Sequence, residues 1–174
     1  EFDDSKWKNA IAVPAPAPLI TSQQMQPIRI TEVIPAISVN RINDKTWVFD
    51  LGRNIAGVSR IKLKGEAGTE IRLKHSERID QKGRADQSNI DVHYRPTDDT
   101  DPFQTDIYVL SGNGEETFMP HFNYKGFRYV EVTSDQPLSL TRESLEGCFM
   151  HSDVPPAGNV VTSDSLINKI WQAT

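Results

Sequence analysis

Apolar and polar residues alternate along most of the chain after Pro27. A period of two places successive side chains on opposite sides of the backbone, which is typical of half-buried β-strands. Together with short apolar runs, this pattern predicts seven strands: Ile28–Val33, Trp47–Leu51, Val58–Lys64, Glu70–Glu77, Thr105–Leu110, Arg128–Thr133 and Ser144–Met150. Glycine-containing turns at Gly65–Gly68, Asp80–Gly83 and Ser111–Gly114 supply the positive φ angles of tight antiparallel connections. The sequence therefore predicts an all-β fold, an antiparallel β-sandwich or jelly roll.

The end of the chain has a helical pattern instead. Thr162-Ser163-Asp164 is a suitable N-cap sequence. After it, apolar residues recur on one face of a predicted helix: Leu166, Ile167, Ile170 and Trp171. A helix of about ten residues is marginal alone in water, so this face requires a partner surface. We expect that partner in sequence after Thr174, and the interdomain contact at Leu166, Ile170 and Trp171.

The region before the strands differs in composition. Ala10–Pro18 alternates proline with small residues, which favours an extended polyproline conformation because proline fixes φ and lacks an N–H donor. The predicted organisation is a linker at 1–24, a β-sandwich at 25–151, and at 152–174 a connector with the first helix of a further domain. The chain begins with Glu1 and stops inside the predicted helix, so we expect a fragment of a longer protein.

Composition and charge exclude several classes of function. Hydrophobic residues make up 37% of the 174 residues, and the net charge is −5 with both signs interspersed. Nucleic acid would favour a basic face, so we expect no DNA or RNA partner. No apolar run is long enough to span a bilayer, and no signal-peptide pattern is present. Cys148 is the single cysteine, which excludes an intrachain disulfide and a thiolate metal site.

Two residues on one predicted strand form a candidate binding site. His75 and Glu77 lie two positions apart and should face the same side, where an imidazole and a carboxylate could contact one ligand. Ile71 and Leu73 alternate onto that side as well. A partly buried contact between His75 and Glu77 is therefore the favoured interpretation, with substrate binding as the alternative.

Aromatic residues matter because sugar rings stack on them. Tyr94 lies with His93 and Arg95 in the long polar loop Arg84–Gln104, where its ring could face solvent or a neighbouring pocket, although loop aromatics more often anchor the loop itself. Most other candidates are expected in the core of a sandwich: Trp47, Phe122, Tyr124, Phe127 and Tyr129. The predicted substrate-binding residues are thus Tyr94, His75 and Glu77.

Motifs for metal, cofactor or covalent chemistry are not evident. Asp98, Asp99 and Asp101 form the densest acidic group, but they lack the ligand spacing of a calcium loop, so a solvated loop is favoured over a metal site. The histidines do not stand in a nucleophile motif, and the glycines do not form a phosphate loop. The carboxylate pair of a glycosidase cannot be found by spacing among so many acidic residues. We predict no catalytic residue, metal or cofactor.

Three segments carry a family resemblance. They read FDLGRNIAG at Phe49–Gly57, LKHSE at Leu73–Glu77 and FNYKGFRYVEV at Phe122–Val132, and the third is the most specific. Together they resemble the concanavalin-like β-sandwich domain of bacterial α-L-rhamnosidases, glycoside hydrolase family 78. The resemblance covers nearly the whole chain after Met25.

The resemblance implies a module without catalytic residues of its own. In this family the general acid and base lie on an (α/α)6 barrel that follows the sandwich, so the implied partner of this chain is that catalytic barrel. Residues 152–174 would then be the connector and the first helix of that barrel. The parent enzyme would hydrolyse terminal α-L-rhamnosyl residues of glycans, with inversion by two carboxylates. A bacterial glycan-degrading parent favours a periplasmic or secreted location. An autonomous carbohydrate-binding module, with a rhamnose-containing glycan as its partner, is the alternative, and a self-sufficient enzyme is a third reading.

Overall fold

Ten β-strands and one α-helix form the regular structure of the chain in the computed structural model, which describes residues 3–90 and 103–173. The strands are β1 (Ile28–Pro35), β2 (Ser38–Asn43), β3 (Thr46–Lys64), β4 (Glu70–Ser76), β5 (Arg78–Ile79), β6 (Ala85–Asp86), β7 (Thr105–Val109), β8 (Glu115–Phe118), β9 (Lys125–Ser134) and β10 (Leu145–Ser152). Eight belong to one sheet with the order β1-β10-β3-β9-β4-β7, in which β2 and β8 also pair with β3; β5 and β6 form a separate pair. All of these pairings are antiparallel, as the sequence predicts.

The longest strand, β3, replaces two predicted strands. The sequence predicts a break between Trp47–Leu51 and Val58–Lys64, but the structure joins them into one strand of 19 residues. The pairing of β3 with β9 shifts between Asp50 and Ile55, and Gly52 has a φ of 80° at this point. Glycine tolerates this left-handed backbone, so the strand bends without ending. The prediction of two strands was wrong for this reason.

The bend in β3 folds the sheet into two layers. The first half of β3 pairs with β2 and β9, and the sheet continues from β9 to β4 and β7. The second half pairs with β10 and β8, and β1 lies beyond β10. The completely buried apolar side chains of the core come from both halves: Phe49, Ile61, Ile71, Leu73, Phe127, Val130 and Val132. The predicted β-sandwich is confirmed.

Short polar strands were missing from the sequence prediction. None of the residues of β2 (SVNRIN) or β8 (EETF) is buried, and both strands lie against β3 as polar additions to the sheet. A period-two pattern reports burial of one face, so a strand held by backbone pairing alone gives no such signal. The strands β5 and β6, which pair with each other, were missed as well because two residues are too few to show the pattern.

The C-terminal helix α1 (Ser165–Ala173) forms where the sequence predicts it. The Asp164 carboxylate accepts a hydrogen bond from the Leu166 backbone N–H at 2.8 Å, which satisfies one of the free donors at the helix N-terminus. No residue of α1 is buried. Across residues 3–90 and 103–173, no helix is long and apolar enough to cross a membrane.

Candidate functional site

His75, the first of the predicted site residues, lies on β4 in a buried polar cluster. Its side chain is 0% exposed. Nδ1 lies 3.1 Å from the carbonyl oxygen of Gln104, and Nε2 lies 2.9 Å from the Ser59 hydroxyl. Because a carbonyl can only accept, Nδ1 donates to Gln104 and Nε2 accepts from Ser59. The ring also meets Phe127 edge-on, with the centroids 4.6 Å apart. A sugar could reach His75 only if this core opened.

Burial keeps the imidazole of His75 neutral. Desolvation lowers its pKa to about 4; the Asp106 carboxylate opposes this shift and the Lys125 ammonium adds to it. Asp106 Oδ2 lies 4.0 Å from Nε2 and is bonded to Lys125. A neutral ring with both nitrogens bonded has neither a free proton nor a free lone pair, so this arrangement supports packing rather than acid–base chemistry.

The ion pair beside His75 is also buried. Lys125 Nζ lies 2.7 Å and 2.9 Å from the two carboxylate oxygens of Asp106, and the two side chains are 8% and 7% exposed. Asn123 completes the group: its Oδ1 accepts from Lys125 Nζ at 3.2 Å, and its Nδ2 donates to Asp106 Oδ1 at 3.4 Å. These contacts fix the start of β9 against β7, so the charges serve the fold.

Glu77, the second predicted site residue, does not contact His75. Strand β4 ends at Ser76, so the alternation that would have aligned the two side chains does not extend to Glu77. Its Oε2 instead accepts a hydrogen bond from Asn89 Nδ2 at 2.9 Å, and the residue is half-buried. The predicted contact between His75 and Glu77 was wrong. A ligand at Glu77 stays a prediction, and Tyr94 lies outside the described residues.

The segment Phe49–Gly57 forms the bend of β3. Two of its residues, Asp50 and Gly57, hold this bend in place. The Asp50 carboxylate accepts from Arg128 through two bonds of 2.8 Å and from the Gly52 backbone N–H at 2.6 Å. The Arg128 guanidinium thereby lowers the pKa of Asp50. At Gly57, an added Cβ would lie 1.9 Å from the carbonyl oxygen of Cys148, so only glycine fits. The motif is therefore a structural one.

A second bidentate pair fixes the small hairpin of β5 and β6 to the outer face of β9. Arg84 donates to the two carboxylate oxygens of Glu131, both at 2.7 Å. The Ala85 backbone N–H donates to the same carboxylate at 2.9 Å. Glu131 is only 4% exposed because the hairpin covers it. This explains why a glutamate follows Val130 inside a core strand.

The predicted interface residues are exposed on α1. Leu166 is 63% exposed, Ile170 58% and Trp171 46%. A cleft of about 400 Å³ lies between α1 and the bend of β3. Its lining combines polar residues of both elements with an aromatic ring: Arg53, Asn54, Ile55, Phe149, Lys169, Gln172 and Ala173.

Two aromatic residues expected in the core are at the surface. Phe122 is 106% and Tyr124 59% exposed, whereas Phe127 is completely buried. Sequence reasoning missed them because it assigned both to the core of a sandwich, whereas strand β9 begins only after them, at Lys125. Elsewhere, within the two described ranges, no three His, Cys, Asp or Glu side chains come together as a metal site.

Comparison with known proteins decides the family. The family model described as bacterial alpha-L-rhamnosidase concanavalin-like domain matches residues 40–151. The chain belongs to this concanavalin-like domain family. Each of the three segments that carry the resemblance has a structural role. They form the bend of β3, the buried polar cluster on β4 and the anchored central strand β9.

Relatives of this concanavalin-like domain are much longer proteins. The alpha-L-rhamnosidase of Streptomyces avermitilis is 34% identical over 170 residues, which are 97% of this chain and 16% of that protein. A solved alpha-L-rhamnosidase from Dictyoglumus thermophilum is 37% identical with a TM-score of 0.79. The match covers 98% of this chain and 19% of the Dictyoglumus chain. The solved structure of the Streptomyces avermitilis enzyme complexed with L-rhamnose is 35% identical with a TM-score of 0.73. That match covers 87% of this chain and 14% of the Streptomyces chain.

Proposed function

We propose that this chain is the non-catalytic β-sandwich module of an α-L-rhamnosidase and that it supports a catalytic helical barrel in the same polypeptide. The observation that carries the proposal is the coverage: nearly all of this chain aligns with α-L-rhamnosidases, yet it spans only 16% of the Streptomyces avermitilis protein and 18% of that from Alteromonas sp. strain LOR. The parent would hydrolyse terminal α-L-rhamnosides of glycans.

The pairing of three carboxylates, Asp106 and Glu131 in the interior and Asp50 half-buried, supports a structural role for this chain. Glycoside hydrolysis uses two carboxyl groups about 5–10 Å apart across a sugar site, one of them with a raised pKa. In the described chain, Asp50, Asp106 and Glu131 are each bound to a cation through short hydrogen bonds. Arg128 lowers the pKa of Asp50, which is the opposite of what a general acid requires. These three groups stabilise the sandwich.

The open face of α1 supports the assignment of a partner. Its exposed apolar residues Leu166 and Trp171 lie on a helix too short to be stable without packing. Such a face is expected to bury itself against another element of the same polypeptide. The helical barrel implied by the family is the partner we propose, and the division at about residue 152 between sandwich and barrel is part of the proposal.

Hydrolysis of an aryl α-L-rhamnoside tests this function. The longer polypeptide that contains this chain should hydrolyse it, and the 174-residue chain alone should not. A matched variant of the chain, Asp106→Asn, controls for trace activity of a contaminant, since any true activity of the chain should fall with its stability. Turnover by the chain alone that disappears with Asp106→Asn would show that the chain is itself an enzyme.

An autonomous carbohydrate-binding module is the second candidate. The cleft between α1 and the bend of β3 favours it, because Arg53, Asn54, Lys169 and Gln172 offer several donors beside the ring of Phe149. Calorimetric titration of the chain with L-rhamnose separates the two functions. A supporting module gives no binding heat. Saturable heat that Lys169→Gln abolishes and Lys62→Gln leaves intact would favour the binding module.

A further inference from the structure

Phe122 combines two features that are unfavourable in an isolated domain. Its φ is 65°, in the left-handed region that bulky residues avoid, and its side chain is fully exposed. Tyr124, two residues later, is 59% exposed. We call Phe122 and Tyr124 the aromatic finger. Backbone strain and exposed apolar rings are both unfavourable, and together they indicate that this segment has a function.

The surrounding structure holds the aromatic finger in place. Asn123 lies between Phe122 and Tyr124 in the sequence. Its side chain hydrogen-bonds to both members of the buried Asp106–Lys125 pair. The Gly126 backbone N–H then donates to Gln104 Oε1 at 3.2 Å. The unfavourable conformation at Phe122 is therefore fixed from its C-terminal side by contacts to the core. The backbone that carries the rings is preorganised for a partner, which reduces the entropy lost on binding.

The chemistry of Phe122, the fully exposed ring of the finger, favours a protein partner over a sugar. A sugar site needs polar groups beside the aromatic ring to fix the hydroxyl groups. The side-chain amide of Asn123, which lies between the two rings in sequence, is already bonded to Asp106 and Lys125. Phe122 itself offers only its ring. An aromatic anchor of this kind matches an apolar socket on a protein surface.

The register of the sheet connects the aromatic finger with the cleft beside α1. Gly57 of β3 pairs with Lys125 of β9 on one side and with Phe149 of β10 on the other. Phe149 lines the cleft beneath α1, and the finger directly precedes Lys125. The aromatic finger and the open helix thus flank the same short stretch of β3, so one large partner can cover both.

We propose that the aromatic finger inserts into an apolar socket on the larger part of the same polypeptide, the part that lies outside this chain. This inference rests on the proposed function. Its partner follows from the coverage, because more than four fifths of each curated relative lies outside the aligned region. A second copy of this chain and a sugar are the competing occupants.

Hydroxyl-radical footprinting with mass spectrometry measures the exposure of Phe122 directly. In the 174-residue chain Phe122 should be oxidised readily, and in the complete polypeptide it should lose that labelling. Phe127, which is completely buried, should stay unlabelled in both and serves as the internal control. Equal labelling of Phe122 in the two proteins would overturn the proposal. Protection that appears in the chain alone on raising its concentration, or on adding L-rhamnose, would assign the finger to the competing occupant.

A variant tests the strain independently. Asparagine accepts a left-handed backbone better than phenylalanine, so Phe122→Asn should raise the melting temperature of the chain alone by about 2 °C. In the complete polypeptide the same variant should lower the melting temperature, because the socket loses its aromatic anchor. Ile11→Asn, which changes an exposed residue of the N-terminal segment, should show no such reversal. A complete polypeptide that does not cleave rhamnosides but still protects Phe122 would refute the function and leave the docking intact.

Discussion

The Lys125 ammonium lies 2.7 Å from Asp106 Oδ1, and this buried ion pair joins β9 to β7 across the intervening strand β4. His75 of β4 lies beside it, neutral and with both ring nitrogens bonded. Two charges and an imidazole are thereby accommodated in a largely apolar core, beside the buried hydroxyl of Ser59. Such a group is stable only while every member keeps its partners, because an unpaired polar group inside a protein costs several kcal/mol.

Removal of one charge from this pair should be strongly destabilising. Asp106→Asn leaves the buried Lys125 ammonium without a counter-charge, and we expect the free energy of unfolding to fall by about 3–5 kcal/mol. Urea unfolding of the chain measures the change. Glu143→Gln, which alters the exposed pair with Arg142, is the matched control and should change stability by less than about 0.5 kcal/mol. Similar losses in the two variants would contradict the importance assigned to burial.

The neutral His75 should make folding depend on pH. Its pKa is about 4 in the folded chain and 6.5 is the ordinary value, so the unfolded chain binds more protons between these limits. The free energy of unfolding should therefore decrease as the pH falls from about 6.5 to about 4, with this group contributing roughly 3 kcal/mol over the whole window. His75 contributes its full stability above pH 6.5.

Unfolding experiments at several pH values within that window test this contribution. His75→Gln keeps a donor and an acceptor but cannot titrate, so its stability should depend less on pH than that of the parent chain. His151→Gln changes an exposed histidine and should keep the full dependence. If the free energy of unfolding of His75→Gln changed with pH as steeply as that of the parent chain between pH 4 and 6.5, the buried imidazole would not be the source of the pH dependence.

Residues with a period-two pattern were the predictable part of the fold. Ile71 and Leu73 on β4 and Val130 and Val132 on β9 are completely buried, and the sequence places all four in strands. The bend at Gly52 could not be read from that pattern. A glycine in a polar stretch indicates a turn as readily as a bend, and the Asp50–Arg128 pair that holds the strand together joins residues 78 positions apart.

The candidate site was less predictable for a related reason. Alternation assigned His75 and Glu77 to one face, but β4 ends between them, and the partners of His75 come from β3 and from Gln104. Contacts between residues distant in the sequence leave no local signal. The exposure of Phe122 was hidden as well, because an aromatic residue beside a core strand is usually buried.

Close backbone approach at Gly57 should make this position intolerant of any side chain. The Cβ of Gly57→Ala would lie 1.9 Å from the Cys148 carbonyl oxygen, in a pairing of β3 with β10 that cannot move without losing register. We expect a loss of about 3 kcal/mol in the free energy of unfolding. Gly158→Ala has nothing within 4 Å of the new Cβ and should be tolerated. Comparable urea midpoints for the two alanine variants would show that the strands separate easily here.

The hairpin of β5 and β6 should depend on Glu131. Glu131→Gln removes the charge that receives three hydrogen bonds from Arg84 and Ala85, and a neutral amide cannot accept from all three donors in the same geometry. We expect a loss of about 2 kcal/mol and faster amide exchange within residues 78–86. Hydrogen exchange with mass spectrometry resolves the location. Glu70→Gln, at an exposed pair with Arg72, should leave that exchange unchanged. Uniformly faster exchange across β3 and β9 would instead mean that Glu131 stabilises the whole sandwich and not the hairpin in particular.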